Sequence, residues 1–349
     1  MRVLTMTCAG ALVGAACLAP ETLPAQTTAP VAETTAWKLP RTVDGHPDFQ
    51  GVWANNNATP LERPKELEGR DRLTDAEVEA MQRRAAKLFD GTGDAAFGDE
   101  VFRTVFASLN ASSTGPHEKG AKDFDADTGD YSSVWTVARD WDNRTSLVTD
   151  PPDGQIPPLT PEGRARAAAV GAALARPASG PQDRTLSERC ITYGVPQLLA
   201  GYQAYYRFTQ SRDAVVMATE MIHEARVVSL DGGPHLPPVI RQWLGDSRGR
   251  WEGDTLVIDT TNFKARSFQN ASERLHLVER LTRVGPDTLN YEITIDDPAT
   301  WEKPWTLMIP LRRSPDEVFE YACHEGNSGM VGILAGARAA ERAGAPKSK

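Results

Sequence analysis

In Leu275-His-Leu-Val-Glu-Arg-Leu-Thr-Arg283, Leu275, Leu277 and Leu281 fall on one side of an extended chain, and the fourth member of that row is Glu279. Side chains alternate between the two faces of a strand, so the row predicts a carboxylate inside an apolar wall. Burying one is costly unless it is paired, hydrogen-bonded or protonated. Glu279 is therefore either a general acid or base, or one half of a structural ion pair with Arg226 or Arg241.

A second mixed row runs through Val318–His324, where Val318 and Ala322 share a face with Glu320 and His324. An imidazole can take and give a proton near neutral pH, which makes His324 the candidate base and Glu279 or Glu320 the candidate acid. Asn327 follows at the expected start of a helix, whose N–H groups could stabilise developing negative charge. The structural alternative is that histidine and asparagine satisfy strand-end carbonyls.

Between these rows, His223, Glu224 and Arg226 precede a Gly-Gly-Pro-His235 turn, and Arg241, Trp243, Asp246 and Ser247 follow it. Arg226 or Arg241 is placed to hold an anionic group, with Trp243 and Trp305 as aromatic surface. Aromatic stripes also simply pack, and two of Trp243, Trp251, Trp301 and Trp305 are expected to do so. His223, His235, His276 and His324 with Glu320 or Glu325 contain enough ligand types for zinc. None has the spacing of HExxH, and His276 faces away from Glu279, so no metal ligand is assigned and a zinc-dependent hydrolase stays an alternative. No Gly-x-Ser-x-Gly elbow, P-loop or dinucleotide fingerprint occurs.

The elements that must position these groups follow from pattern. Ala214–Thr219, Ala225–Leu230, Thr255–Thr261, Leu275–Arg283, Thr288–Asp296, Trp305–Arg312 and Val318–Cys323 carry β-branched or aromatic residues in alternation, with turns between several of them. With a first strand at Phe49–Trp53 they predict an antiparallel meander closing into a barrel, which removes exposed edges and encloses one ligand-sized cavity. Thr74-Asp-Ala-Glu77 is a capping box opening a helix to about Phe89, and Thr160-Pro-Glu162 opens another over Pro161–Ala175. Gly91–Asp130 reads as surface insertion broken by a short apolar piece at Val101–Leu109, with His117 in a loop. Tyr131–Val137 and Thr145–Val148 look strand-like, and Asn327–Ala343 is a C-terminal helix packing through Met330, Ile333, Leu334 and Ala337.

The chain has 349 residues, 40% of them hydrophobic, enough for a substantial core. Acids outnumber bases 47 to 38, which argues against a nucleic-acid partner and for a small molecule. Residues 1–25 have the basic start, apolar stretch and small-residue cleavage site of an export signal, too short to span a bilayer. Residues 26–36 are a Thr/Ala/Pro-rich flexible lead-in, and 37–345 one barrel-like domain with a helical and loop insertion at about 61–188. After export Cys190 and Cys323 remain, either disulfide-bonded or as two buried thiols.

The Gly51-Val-Trp53 triplet resembles the opening strand of lipocalin-type barrels. Asp44-Gly-His-Pro-Asp-Phe-Gln-Gly-Val-Trp53, Arg144-Thr-Ser-Leu-Val-Thr-Asp-Pro-Pro-Asp-Gly154, Pro157-Pro-Leu-Thr-Pro-Glu-Gly-Arg164, Gly249-Arg-Trp-Glu-Gly-Asp-Thr-Leu-Val257 and Glu320-Tyr-Ala-Cys-His-Glu-Gly-Asn327 together resemble a large family of exported bacterial proteins. The resemblance implies a periplasmic or secreted protein, and that Arg144, Asp150 and Arg189 belong to the same domain as the barrel. It names no catalytic residue. The residues themselves point to a cofactor-independent lyase, hydratase or isomerase acting on a small hydrophobic or aromatic molecule. A non-catalytic lipocalin-like binding protein is the other alternative.

Overall fold

The computed structural model describes residues 37–89, 98–110, 139–198 and 200–344. The expected export signal and lead-in, His117 and the expected strand-like 131–137 lie outside them. Trp37–Lys349 forms one compact unit.

The strands are β1 (Gly51–Ala54), β2 (Val148–Asp150), β3 (Tyr205–Gln210), β4 (Ala214–Thr219), β5 (Ala225–Ser229), β6 (Asp246–Glu252), β7 (Thr255–Thr261), β8 (His276–Arg283), β9 (Thr288–Asp296) and β10 (Trp305–Ser314). They run β1-β3-β4-β5-β6-β7-β8-β9-β10, and β1 also pairs with β10, so the sheet closes into a barrel as the sequence predicts. Trp53 sits at the seam, opposite Tyr206 on one side and Arg313 on the other. β2 pairs with β10 at Thr306 and Leu307, on the edge that β1 occupies further along. One join departs from a meander: β5 and β6 are parallel, at Val228–Ser247 and Ser229–Arg248, so the barrel is mixed. Residues 230–245 make the crossover that a parallel pair requires.

Two strands carry weaker alternation than their neighbours and were not expected. β3 is Tyr-Tyr-Arg-Phe-Thr-Gln, with Tyr206 and Phe208 inward. β6 is largely charged, and only Asp246 and Ser247 are buried. The expected strand Val318–Cys323 is absent. Both edges of β10 are already paired, so the chain beyond Ser314 finds no free edge on the strand it follows. It is tied instead by its Phe319 amide donating to Glu220, by contact of Tyr321 O with His223 Nδ1, and by a Cys190–Cys323 disulfide.

Inward rows fill the barrel: Leu277 and Leu281 from β8, Leu289, Tyr291, Ile293 and Ile295 from β9, and Trp305, Leu307, Ile309 and Leu311 from β10 are at most 1% exposed. The expected ligand-sized interior cavity is therefore replaced by a packed core.

Helix α1 (Asp75–Leu88) has its capping box, with Thr74 accepting from the Glu77 amide and Glu77 from the Thr74 amide. The apolar piece at Val101–Leu109 within the expected surface insertion is an amphipathic helix, α2 (Glu100–Asn110). Its Phe102 and Val105 join Met81, Leu67 and Leu73 in a satellite core. Helix α3 (Pro161–Leu174) starts at its Thr160 cap, and α4 (Ser328–Arg342) at Asn327, which accepts from the Met330 amide.

Candidate functional site

One layer of the barrel interior is polar. Arg226 (β5) lies across from Met217 (β4), Ser247 (β6) across from Thr260 (β7), and Glu279 (β8) and Tyr291 (β9) complete the circuit. Glu279 is fully buried in the leucine row that alternation assigns to it. Its carboxylate accepts both prongs of the Arg226 guanidinium, Nη1 to Oε2 at 2.5 Å and Nη2 to Oε1 at 2.7 Å. The Tyr291 hydroxyl donates to Oε1, and Thr260 donates to Oε2 at 3.3 Å. Arg226 also reaches Ser247, Thr260 and the Met217 sulfur.

Two charges in a dry interior are tolerable only with this kind of satisfaction. Burial opposes the guanidinium charge, and Glu279 more than offsets it, holding Arg226 protonated above its ordinary range. Burial likewise pushes the Tyr206 and Tyr291 phenols far above theirs, so both stay neutral donors.

The polar layer is roofed by the loop 194–197. Tyr206 donates its hydroxyl to Gln197 O, fixing that roof. The loop crosses so close to Ser267 that a Cβ on Gly194 would stand 2.3 Å from Ser267 O, and Gly194 has φ +94°. Only glycine meets both demands. Between roof and floor, Val195, Pro196, Met217 and Leu244 line a pocket with Gln197, Arg226, Tyr291 and Glu224. The space is ≈ 320 Å³ counting its solvent-open mouth, of which ≈ 20 Å³ takes a water-sized body. That suits one water or one hydroxyl group, with the rest of a ligand in the mouth.

Two groups here escape strand alternation. Glu224, between β4 and β5, accepts from the Tyr193 amide at 2.9 Å, and burial raises its carboxyl above the usual carboxylate range against that bond. Gln197 is 4% exposed, and its Oε1 has no hydrogen-bond partner among the described residues. Neither belongs to a periodic segment that would have marked it. A partly buried carboxyl with a raised pKa and an amide oxygen without a partner among the described residues thus belong to the lining of one small pocket.

The other sequence-predicted residues lie elsewhere. His324 and Glu320 are exposed on the segment after β10, where the His324 ring meets the His223 ring edge-on at 5.7 Å. They are not brought together with Glu279. His223 has Nδ1 at 2.8 Å from Tyr321 O. Asn327 is occupied capping α4 and donating to Glu188 O. Arg241 pairs with Glu273 at 3.1 Å outside the barrel, and Trp243 lies beneath the Lys264 ammonium. Trp305 is fully buried, packed edge-on against Trp301, so these two tryptophans are core. Of the motif residues, Arg144 is held by Asp142 and Met308 O.

His235 lies between Asp246 (Nδ1 to Oδ2, 2.8 Å) and Asp259 (Nε2 to Oδ1, 2.9 Å), and Asp259 reaches His276 at 3.1 Å. The chain pins the 230–245 crossover to the barrel wall. Among the described residues no group of three or more His, Cys, Asp or Glu side chains is arranged to hold a metal ion. Among them, too, no helix is long and apolar enough to cross a membrane.

Fold and site together define a closed mixed β-barrel with a buried Arg–Glu–Tyr layer beneath a roofed mouth. Comparison with family models, curated proteins and solved structures gave no match.

Proposed function

We propose that this chain is an exported, cofactor-independent lyase that removes water from, or adds it to, a small hydroxyl-bearing apolar molecule held at the barrel mouth. The observation that carries the reading is that Glu224, whose carboxyl pKa burial pushes upward, and Gln197, whose Oε1 has no partner among the described residues, line one apolar pocket.

The substrate hydroxyl donates to Gln197 Oε1 and accepts from the Glu224 carboxyl. As the C–O bond breaks, its electron pair leaves with oxygen, and the Glu224 proton completes a water molecule. The adjacent C–H bond then supplies its electrons to the new double bond and its proton to the Glu224 carboxylate. Glu224 ends as it began, so no second acid or base is required. Hydration is the reverse. Arg226, saturated by Glu279, closes the pocket floor as half of a fixed, neutral ion pair.

Purified protein incubated with a panel of aromatic and terpenoid alcohols, followed by chromatography for the alkene, tests this. Turnover of at least one alcohol is expected, with Glu224→Gln lowering the rate by about 10²-fold or more. Activity should fall as pH rises through the raised Glu224 pKa, because the acid form is the one that protonates the leaving group. Full activity in Glu224→Gln would remove the mechanism. Saturable binding of an alcohol with no turnover would favour a non-catalytic carrier.

A further inference from the structure

A second cleft lies between the turn at residues 201–204, which feeds β3, and the first turn of α4. Its space is ≈ 370 Å³, and Gln203, Glu320, Tyr321, Glu325 and Ser328 help to line it. Small-molecule sites fall in this size range. The Cys190–Cys323 disulfide anchors one wall, since Cys323 also lines the cleft.

The lining carries two carboxylates and no lysine or arginine. Glu320 and Glu325 have no hydrogen-bond or ion-pair partner among the described residues. An acidic pair on a surface means little by itself, but Gln203 adds a separate observation. It is 7% exposed, its backbone is held at φ 44°, and its Oε1 has no hydrogen-bond partner among the described residues. A buried amide oxygen costs free energy until a donor reaches it, and this one belongs to a residue that lines the cleft.

The missing group must therefore be a donor, and the surrounding charge asks for a positive one. A bare divalent ion is a poor fit, because oxygen-ligated ions need more ligands than two carboxylates supply, and no qualifying cluster occurs among the described residues. A primary ammonium is a better match. Its three N–H bonds can be shared among Gln203 Oε1, Glu320 and Glu325, and the Tyr321 ring offers a cation–π face. Ser328 and Gly329, also in the lining, open α4, where amides lack intrahelical acceptors. They can donate to an oxygen further along the ligand.

We propose that this cleft is a binding site, separate from the barrel mouth, for a small organic molecule with a primary ammonium and a nearby oxygen acceptor.

Titration of the full chain with 4-aminobutanol, followed through the Gln203 side-chain amide resonances, tests it. Butane-1,4-diol is the neutral control, and tetramethylammonium carries charge without N–H donors. Saturable shifts are expected with 4-aminobutanol, and both controls should bind at least about 10-fold more weakly. Glu320→Gln combined with Glu325→Gln should weaken binding by about 10-fold or more, as should Gln203→Leu. The glutamates are exposed, so their substitution leaves the fold intact even if Gln203→Leu does not. The proposal is overturned if 4-aminobutanol does not saturate, if the diol binds equally well, or if the double glutamine variant keeps native affinity. None of these outcomes bears on Glu224, so this site and the lyase reading fail independently.

Discussion

Replacing Glu279 by glutamine would test the barrel interior directly. Among the described residues the fully buried carboxylate is the only countercharge hydrogen-bonded to Arg226, which is itself 6% exposed. Glutamine keeps the shape and one acceptor oxygen but removes the charge, leaving a guanidinium in a dry layer between Met217 and Tyr291. Breaking a buried pair from one side costs about 3–5 kcal/mol, because the remaining charge is uncompensated. A whole domain is stable by only about 5–15 kcal/mol, so the loss is a large fraction of the total. Urea unfolding should show the midpoint falling with an unchanged slope. Combining Arg226→Met, Glu279→Leu and Tyr291→Phe removes both charges and the orphaned hydroxyl together. That triple variant should recover most of the loss, since an apolar replacement of a buried ion pair is often neutral or better. A Glu279→Gln variant within about 1 kcal/mol of the native protein, or a triple variant weaker than the single, would refute the account of this layer as a mutually satisfied unit.

Further outcomes can be checked by the same unfolding measurement. Gly163→Ala should destabilise by about 1–3 kcal/mol although alanine is the better helix former, because the new Cβ would meet Thr300 O at 2.4 Å. Replacing Cys190 and Cys323 by alanine should cost about 4–5 kcal/mol in the chain-entropy model, the bridge spanning 133 residues; unchanged stability would contradict it. Burial raises the Glu220 carboxyl, with the Phe319 amide opposing, so the folded chain holds a proton that the unfolded chain has already released. Its stabilising contribution is complete below the ordinary carboxylate pKa and is lost as pH rises through the raised one. The stability of Glu220→Gln relative to the native protein should therefore improve from acid to neutral pH, and a difference independent of pH would refute the assignment.

What the sequence determined by itself was whatever repeats locally. The alternation of Leu275, Leu277, Glu279 and Leu281 was enough to place a carboxylate in the barrel wall, because a one-residue slip would have turned three leucines to solvent. The caps at Thr74 and Thr160 set helix starts for the same local reason. Val318–Cys323 has the same strand-like pattern, yet both edges of the preceding strand β10 were already paired, and edge availability belongs to the closed sheet. The choice of Arg226 over Arg241 as partner to Glu279 was likewise tertiary, since it depends on which residues reach one layer across the barrel. So was the placement of Glu224, Gln197 and Gln203. Each lies in a turn or loop without period, and its surroundings come from what the roof loop, the disulfide and the barrel mouth bring around it.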